Sequence, residues 1–254
     1  MIEVNGLEKS FGENHVLKGI DAVFEEGKTN LIIGRSGSGK TVFLKCVLGL
    51  YNSDQGEIMF SGRRISKMNK NERNLIRQEI GMVFQGGALF DSLTIEENVM
   101  FPLNMFRDMT LEEKLDRVNF CLQRVNLLNV NNHFPAEISG GMQKRVAIAR
   151  SIVMNPKYLF CDEPNSGLDP ETSIVIDNLI REITQEFGIT TVVNTHDMNS
   201  VLEIGDKVFF LKEGKKAWEG SKDDILTSDN PDIVDYVFRS NLFKKVKAAL
   251  QKGE

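Results

Sequence analysis

The clearest chemical signal in the sequence is a glycine-rich run that predicts a phosphate-binding loop. Its residues are Gly34, Arg35, Ser36, Gly37, Ser38, Gly39, Lys40 and Thr41. They fit the pattern G-x-x-x-x-G-K-[ST], in which the glycines let backbone N–H groups point at phosphate oxygens. Lys40 can then reach the outer phosphates of a nucleotide, and the Thr41 hydroxyl can bind Mg²⁺. We therefore predict a nucleotide-phosphate site here rather than an ordinary turn.

The elements that would position this loop are indicated by the sequence on its two sides. Residues 28–33 contain an apolar run that predicts a buried strand, and residues 42–48 predict a helix. A helix that begins directly after the loop directs its N-terminal N–H groups towards the anion. The order of strand, loop and helix therefore supports the phosphate site.

Two further apolar strands are predicted to end beside polar side chains. Residues 158–162 end in Asp162, which Glu163 follows, and residues 80–84 lead to Gln85. Adjacent carboxylates seldom end a buried strand unless a cation or a reaction needs them. Asp162 can hold Mg²⁺ through water, and Glu163 can orient or deprotonate an attacking water molecule. Gln85 lies at a strand end, where α/β proteins bind ligands, but a lone glutamine is weak evidence.

A second anion site is predicted at the start of a helix. Ser139 suits an N-cap, and Gly140 and Gly141 follow it ahead of an apolar helical stripe. One nucleotide does not need two such sites in one chain, so a second copy of the chain could supply this one across an interface. His196 follows a predicted strand over residues 190–195 and could hydrogen-bond a terminal phosphate. Taken alone, the first feature also fits an ordinary capped helix, and the second fits a structural histidine.

Phe11 is a candidate for stacking on the base of a nucleotide. A flat ring held near the phosphate loop could stack on a base with a gain of about 1–3 kcal/mol. The alternative is that Phe11 fills the core of a small sheet, and the spacing leaves both interpretations open. Stacking by itself does not select adenine over guanine.

The composition excludes several classes of protein. The chain has 254 residues, 41% of them hydrophobic, and its 31 basic and 36 acidic residues give a net charge of −5. This hydrophobic content provides a core and excludes a disordered chain, and the acidic balance argues against a broad nucleic-acid-binding surface. Cys46, Cys121 and Cys161 lie far apart among apolar neighbours, which predicts buried thiols in a reducing compartment rather than a disulfide framework or a zinc site.

Two regions outside these motifs suggest contacts with other molecules. We expect neither a signal peptide nor a membrane-spanning run, so work at a membrane would require another chain to span it. A helical insertion is predicted over about residues 86–155, and its apolar stretch, residues 88–106, suggests a docking surface or packing within its own subdomain. Residues 221–254 are expected to be helical, with an amphipathic basic end that could lie on a membrane or, as we favour, dock on a partner protein.

These features, taken together and in order, resemble the ATP-binding subunits of ABC transporters over essentially the whole chain. The matching features are Phe11, the phosphate loop 34–41, Gln85, the signature Ser139-Gly140-Gly141, Asp162 with Glu163, the loop Ser166-Gly167-Leu168-Asp169, and His196. The resemblance implies one ATP-binding domain over residues 1–254, with an α/β fold. That fold is a P-loop NTPase core of the ABC ATPase type with an N-terminal antiparallel β subdomain and an inserted helical subdomain.

The same resemblance implies ATP and Mg²⁺ as cofactors and assigns roles to the candidate residues. Gln85 would join Thr41 and Asp162 at the metal, and it would assist catalysis by Glu163 and His196. Two copies of the chain would bind head to tail, with each ATP held between the phosphate loop of one copy and the Ser139–Gly141 signature of the other. Asp169 would lie at the same nucleotide interface.

A closer resemblance is to the Mla (maintenance of lipid asymmetry) ATPases, and it rests on residues 84–94, residues 98–103 and Met142. Ile138 and Arg35 are small departures from the usual pattern. This resemblance implies phospholipid transport between envelope membranes, with a multi-spanning permease, an MCE-domain lipid-binding protein and no nucleic acid. The chain would lie peripherally on the cytoplasmic face of the inner (cell) membrane, and a small regulatory subunit is left open.

Other functions are kept as alternatives. The first is the ATPase subunit of an importer for amino acids or another small solute, since cargo contacts do not lie in such a subunit. A soluble ABC-type ATPase acting on ribosomes or DNA is disfavoured, because the chain has one cassette and no extended coiled-coil heptads. A small-molecule kinase with a phosphate loop ranks last, since it has no reason to carry the Ser-Gly-Gly signature.

Overall fold

The computed structural model describes residues 1–238, and these form two compact units. The first unit comprises residues 1–25 and 29–67 together with the described residues from 194 onwards. The second unit comprises residues 26–28 and 68–193. Each unit contains both strands and helices, which confirms the predicted α/β class.

The first unit begins with the antiparallel subdomain that the sequence predicts. Its elements are β1 (Ile2–Phe11), β2 (Asn14–Phe24), β3 (Thr29–Ile33), α1 (Lys40–Val47), β4 (Gln55–Phe60) and β5 (Arg63–Arg64). Four of these strands form an antiparallel sheet in the order β2-β1-β4-β5. Three aromatic rings, those of Phe24, Phe43 and Phe209, pack together in the core with centroids 6.0 to 6.3 Å apart.

A bulge explains why the buried residues of β1 do not simply alternate. Val4 and Leu7 are both buried although they are three positions apart, and the pairing register with β2 shifts between them. Gly6 lies in this interval with a φ of +58°, a conformation that glycine adopts at low cost. The extra residue therefore returns Leu7 to the buried side of the strand.

The second unit contains the predicted helical insertion. Its elements are α2 (Lys70–Gln78), β6 (Ile80–Val83), α3 (Ile95–Phe106), α4 (Leu111–Arg124), α5 (Gly140–Ile152), β7 (Tyr158–Asp162), α6 (Pro170–Phe187) and β8 (Thr190–Asn194). The strands lie in the order β8-β7-β6, with β6 and β7 parallel. A Cβ atom on Gly81 of β6 would lie 2.3 Å from the Ser151 backbone oxygen, so this glycine lets α5 pack directly on the strand.

The helices of the insertion are fixed by caps and by one arginine. Thr94 and Thr110 each form a capping box, at the start of α3 and of α4 respectively. Arg117 of α4 donates hydrogen bonds to Ile152 O at 2.8 Å and to Val153 O at 2.9 Å, at the end of α5. These bonds satisfy carbonyl groups that a helix end leaves without an intrahelical partner.

The chain then returns to the first unit. The remaining elements are α7 (Met198–Ile204), β9 (Lys207–Lys212), β10 (Lys215–Gly220), α8 (Lys222–Thr227) and α9 (Pro231–Val237). β9 pairs in parallel with β3 and antiparallel with β10.

The described part of the segment that is predicted to be helical from Ser221 onwards forms two separate helices, α8 and α9. Asn230 caps α9, and Pro231 stands at its first turn, where a residue without an N–H group begins a helix but cannot continue one. Phe238 is buried, whereas the rest of the predicted basic end, residues 239–254, lies outside the described residues.

Two other expectations concern the cysteines and the membrane. All three cysteines are buried and free, as predicted, and burial raises the pKa of both Cys46 and Cys121 to about 11. Within residues 1–238, no helix has the length and apolar character needed to cross a membrane.

Candidate functional site

The phosphate loop connects β3 to α1, and its shape depends on close contacts that a side chain would prevent. A Cβ atom on Gly34 would lie 2.3 Å from Leu211 O and 2.7 Å from Ser38 Oγ. Gly39 has a φ of +104° and is the N-cap residue of α1, where no side chain caps the helix. The N–H groups at the start of α1 are therefore not capped by a side chain. An anion site at a helix N-terminus requires such uncapped N–H groups.

The polar side chains of the loop fit a nucleotide phosphate. Lys40 is 7% exposed, and its Nζ donates hydrogen bonds to Gly34 O at 2.8 Å and to Arg35 O at 3.3 Å. Among residues 1–238, Ser38 Oγ is buried and has no hydrogen-bond partner. Such a hydroxyl carries a desolvation cost that a phosphate oxygen at this position would offset. Thr41 lies exposed in the first turn of α1.

The three residues at the tip of the loop are accessible as well. Ser36 and Gly37 are exposed, as is Arg35. The Arg35 guanidinium forms an ion pair with Asp235 of α9 at 2.5 Å. The side chain of Arg35 therefore points to a carboxylate of this chain, while the backbone of the loop carries the predicted phosphate contacts.

Phe11, at the end of β1, presents its ring to solvent. The residue is 45% exposed, and its ring meets Tyr51 edge-on at 5.4 Å between centroids. Lys9 Nζ lies 5.4 Å from the centre of the same ring. A ring in this position does not fill the core of the sheet, so stacking on a base remains our prediction for Phe11.

Removing the Phe11 ring should weaken nucleotide binding. We expect Phe11→Ala to raise the dissociation constant for ATP by about 5- to 100-fold, which corresponds to the stacking energy of roughly 1–3 kcal/mol. Binding of inorganic triphosphate, which has no base, should not change. Isothermal titration calorimetry with both ligands checks this, with Phe187→Ala as a control at another exposed ring. Equal losses for ATP and triphosphate would contradict a contact with the base.

In the second unit, the structure brings Gln85, Glu163 and Ser166 together. Gln85 Nε2 donates a hydrogen bond to Ser166 Oγ at 3.0 Å and lies 3.5 Å from Glu163 Oε2. Asp162 is the last residue of β7 and directly precedes Glu163. The segments that follow β6 and β7 therefore bring the Gln85 amide, the Ser166 hydroxyl and the Glu163 carboxylate close to one another.

The backbone at Glu163 is unusual. Its φ is +46°, in the left-handed region that residues other than glycine rarely adopt. Ser166 N donates to Glu163 O at 3.1 Å, and Asn165 Nδ2 donates to the buried carboxylate of Asp177 at 2.7 Å. These contacts hold the turn in which Glu163 lies. Strained backbone of this kind is concentrated at functional sites, and no local pattern of residues predicts it here.

The starts of α5 and α6 lie side by side in the second unit. Ser139 Oγ accepts a hydrogen bond from Met142 N at 3.2 Å, which confirms the predicted N-cap. A Cβ atom on Gly141 would lie 2.6 Å from Thr172 Cγ2, so this glycine permits the close approach of the two helices. Asp169 caps α6 by accepting from Thr172 N at 2.9 Å, and hydrogen bonds from Thr172 lower the pKa of Asp169.

Sequence reasoning missed Thr172, which touches both the Gly141 position and Asp169. Its only sequence signal is its place three residues after Asp169, which fits an N-cap pair. Gly140 is exposed at the same helix start. The structure therefore brings Ser139, Gly140, Gly141 and Asp169 into one neighbourhood.

His196 follows β8 and belongs to the first unit, with Phe11 and the phosphate loop. The residue is exposed, and Asp197 beside it caps α7 by accepting from Asn199 N at 2.8 Å. Within residues 1–238, no group of three or more His, Cys, Asp or Glu residues could hold a metal ion. A nucleotide-bound Mg²⁺ needs only one or two carboxylates besides phosphate and water, so this finding does not bear on the prediction that Thr41, Gln85 and Asp162 are its ligands.

Comparison with known proteins supports the nucleotide chemistry. A protein-family model described as "ABC transporter" matches residues 17–166, which is more than half of the chain. The structure is also similar to a solved structure described as the dimeric, post-hydrolysis state of the ATP-binding cassette MJ0796 bound to ADP and Pi. The TM-score is 0.79 with 34% sequence identity, and the match covers 87% of this chain and 99% of that one.

Three curated relatives cover most of the chain. The chloroplastic protein TRIGALACTOSYLDIACYLGLYCEROL 3 of Arabidopsis thaliana is 38% identical over 247 residues, covering 91% of this chain and 71% of that protein. The probable ribonucleotide transport ATP-binding protein mkl of Mycobacterium tuberculosis is 37% identical over 230 residues, covering 91% of this chain but only 64% of its own length. The methionine import ATP-binding protein MetN of Clostridium tetani is 39% identical over 227 residues, covering 89% of this chain and 70% of that protein.

Proposed function

This chain belongs to the ABC transporter family and is the ATP-hydrolysing subunit of such a transporter, and we propose that its cargo is phospholipid, moved between two envelope membranes. Support for the cargo comes from residues 84–94, residues 98–103 and Met142, which resemble the Mla ATPases. The Arabidopsis thaliana relative, whose name contains that of a galactolipid, adds to this support.

The importer alternative also has a specific observation in its favour. The methionine import protein of Clostridium tetani is 39% identical to this chain, as similar as the relative with the lipid name. We keep the import of a small solute as the second candidate function. The two functions share the ATPase subunit and differ in the partners that bring the cargo.

The proposed catalytic chemistry assigns roles to the residues that are predicted to act in hydrolysis and to bind the metal. Bound ATP supplies the phosphoanhydride bond whose hydrolysis drives transport. Glu163 orients or deprotonates the attacking water, and the Gln85 amide, which contacts Glu163, helps to position it. His196 donates a hydrogen bond to the terminal phosphate. Thr41 and Asp162, with Gln85, would hold Mg²⁺, which would neutralise phosphate charge when bound.

In the proposed assembly, two copies of the chain bind head to tail. Each copy forms one ATP-binding domain. Each copy carries one phosphate loop and one helix start with the Ser139-Gly140-Gly141 signature, so two copies offer two complete pairs. The dimeric state of MJ0796 supports this arrangement. Asp169, which lies beside the signature in the second unit, joins the interface.

A multi-spanning permease is the proposed membrane partner, with an MCE-domain lipid-binding protein and, on the C-terminal segment, a small regulatory subunit. The chain would lie peripherally on the cytoplasmic face of the inner membrane and bind no nucleic acid. The apolar front of the insertion supports docking on a permease. In α3, Val99 and Leu103 are buried, whereas Met105 is 59% exposed and Phe106 is 48% exposed, and Phe90 before the helix is 43% exposed. Exposed apolar side chains of this size mark interaction surfaces.

Copurification tests the cargo and the docking surface together. We expect the tagged chain, extracted gently from native membranes, to bring down a multi-spanning permease and an MCE-domain protein. Phe106→Glu should reduce the recovered permease by about tenfold, since it places a charge in an apolar contact, whereas Leu128→Glu, at a side chain 70% exposed, should not. Mass spectrometry of the recovered proteins is the measurement. A permease with a soluble binding protein would favour the importer, and ribosomes or DNA-repair proteins without a permease would contradict the transport function.

A further inference from the structure

Two cations of α5 hold the backbone that carries Gln85. Lys144 Nζ donates a hydrogen bond to the backbone oxygen of Gln85. Arg150 donates through Nη2 to Gly87 O at 2.7 Å and through Nη1 to Ala88 O at 2.8 Å. We call residues 85–88 the glutamine segment. Three of its four carbonyl groups therefore accept from charged side chains of one helix, and such charge-assisted bonds are stronger than neutral ones.

The glutamine segment needs this support, because its backbone is not relaxed. Ala88 has a φ of +50°, a left-handed conformation that costs a residue with a Cβ atom of order 1 kcal/mol or more. Gly87, at φ +73°, packs against α5, since a Cβ atom there would lie 3.9 Å from Ala147 Cβ. A short loop with a strained residue keeps one conformation only where its surroundings fix it.

The hydrogen bond from Lys144 to the glutamine segment offsets the desolvation cost of burying its ammonium group. The residue is 7% exposed, and burial lowers the pKa of Lys144 and also that of Arg150. A buried ammonium group is expensive unless it is hydrogen-bonded, and the Gln85 carbonyl is the acceptor. The contact is thus a specific feature of the fold rather than an adjustable surface contact.

Whereas the backbone oxygen of Gln85 accepts from Lys144, its side chain contacts the catalytic candidates. Its amide donates to Ser166 at 3.0 Å and lies 3.5 Å from the Glu163 carboxylate. We propose that Lys144 and Arg150 are positioning residues for ATP hydrolysis, which fix the glutamine segment and so aim the Gln85 amide at Glu163 and Ser166. Because α5 begins at the Ser139–Gly141 signature, a displacement of this helix is carried to Gln85 through these bonds. The inference rests on the proposed role of Glu163.

A matched pair of substitutions tests the positioning role. Lys144→Met removes the donor and keeps an unbranched side chain of similar length, whereas Lys144→Gln keeps a donor. In the full chain with its native partners, we expect Lys144→Met to lower kcat for ATP about tenfold, in line with the effect of small displacements of catalytic groups. The dissociation constant for ATP should stay within about twofold, because no nucleotide contact is removed. Lys144→Gln should restore most of the lost kcat.

A second readout reports on the glutamine segment itself. Hydrogen–deuterium exchange followed by mass spectrometry should show faster exchange at residues 85–88 in Lys144→Met than in Lys144→Gln, with peptides of α6 unchanged. Arg145→Met is the control, since Arg145 lies on the same helix and donates to a different loop, at Asn126 O and 3.1 Å. This control should keep both the kcat and the exchange at residues 85–88.

The outcomes separate this inference from the proposed function. Should Lys144→Met fail to fold, Arg150→Lys keeps the charge, loses one of two bonds, and should lower kcat with ATP affinity unchanged. A wild-type kcat in the donor-lacking variant, or an equal loss in Lys144→Met and Lys144→Gln, would overturn the positioning role. A rise in the dissociation constant for ATP with kcat unchanged would overturn it too. Absence of ATP hydrolysis in the wild-type complex would instead overturn the proposed catalytic role of Glu163 on which the inference rests.

Discussion

Replacing Glu163 by glutamine is expected to lower ATP hydrolysis by about 10²–10⁴-fold, the effect typical of losing a general base. Binding of ATP should persist, because the substitution changes no residue of the phosphate loop. A dimer that binds ATP but cannot hydrolyse it should stay closed, so ATP should shift the Glu163→Gln variant towards a dimer. ATPase assays and size-exclusion chromatography with light scattering measure the two effects.

The Glu163→Gln substitution should leave the local structure unchanged. Glutamine has the shape of glutamate, and its amide oxygen can still face the Gln85 amide, which lies 3.5 Å from Glu163 Oε2 in the native chain. The strained backbone at φ +46° is common to both side chains, so the variant should keep the turn after β7. Loss of activity would then report on the carboxylate rather than on the fold.

A control for this prediction exists within the chain. Glu213 is also a glutamate in the left-handed conformation, at φ +50°, in the turn between β9 and β10, where its side chain is exposed. Glu213→Gln removes one charge from the same kind of backbone position and should leave the hydrolysis rate unchanged. If Glu163→Gln hydrolyses ATP as fast as the wild-type chain, the assignment of Glu163 as the base is contradicted.

The sequence was most informative where function depends on contiguous residues. The phosphate loop is a local motif between a strand and a helix, so its place between β3 and α1 followed from spacing alone. The ends of β6 and β7 were also predictable, because apolar runs that stop at polar residues mark strand ends in an α/β protein. Gln85 and Glu163 do come together there.

Features that depend on distant residues were not predictable from one sequence. Nothing in the local pattern pairs Lys144 with a carbonyl 59 positions earlier, or Gly141 with Thr172. Such contacts arise from the packing of helices on the sheet, and a single sequence does not specify that packing. The bulge at Gly6 was missed for a different reason: one extra residue shifts the alternation, and a period of two cannot describe it.

The second large effect is expected from Lys40→Ala, which should weaken nucleotide binding itself. Lys40 Nζ now donates to Gly34 O at 2.8 Å and to Arg35 O at 3.3 Å, which holds the ammonium group inside the loop where phosphates are predicted. A hydrogen bond to a charged group contributes about 1.5–3 kcal/mol, so the dissociation constant for ATP should rise about 10- to 100-fold.

Loss of the ammonium group can be distinguished from loss of loop structure by comparing two nucleotides. The lysine of such a loop reaches the β- and γ-phosphates, so the loss of affinity should be larger for ATP than for ADP, whereas a collapsed loop would weaken both alike. Lys45→Ala, on the same helix, is the control and should bind ATP as the wild-type chain does. Calorimetric titration of the three proteins with both nucleotides decides the matter. Normal ATP affinity in Lys40→Ala would count against the phosphate loop as the nucleotide site, since the other cation of the loop, Arg35, is paired with Asp235.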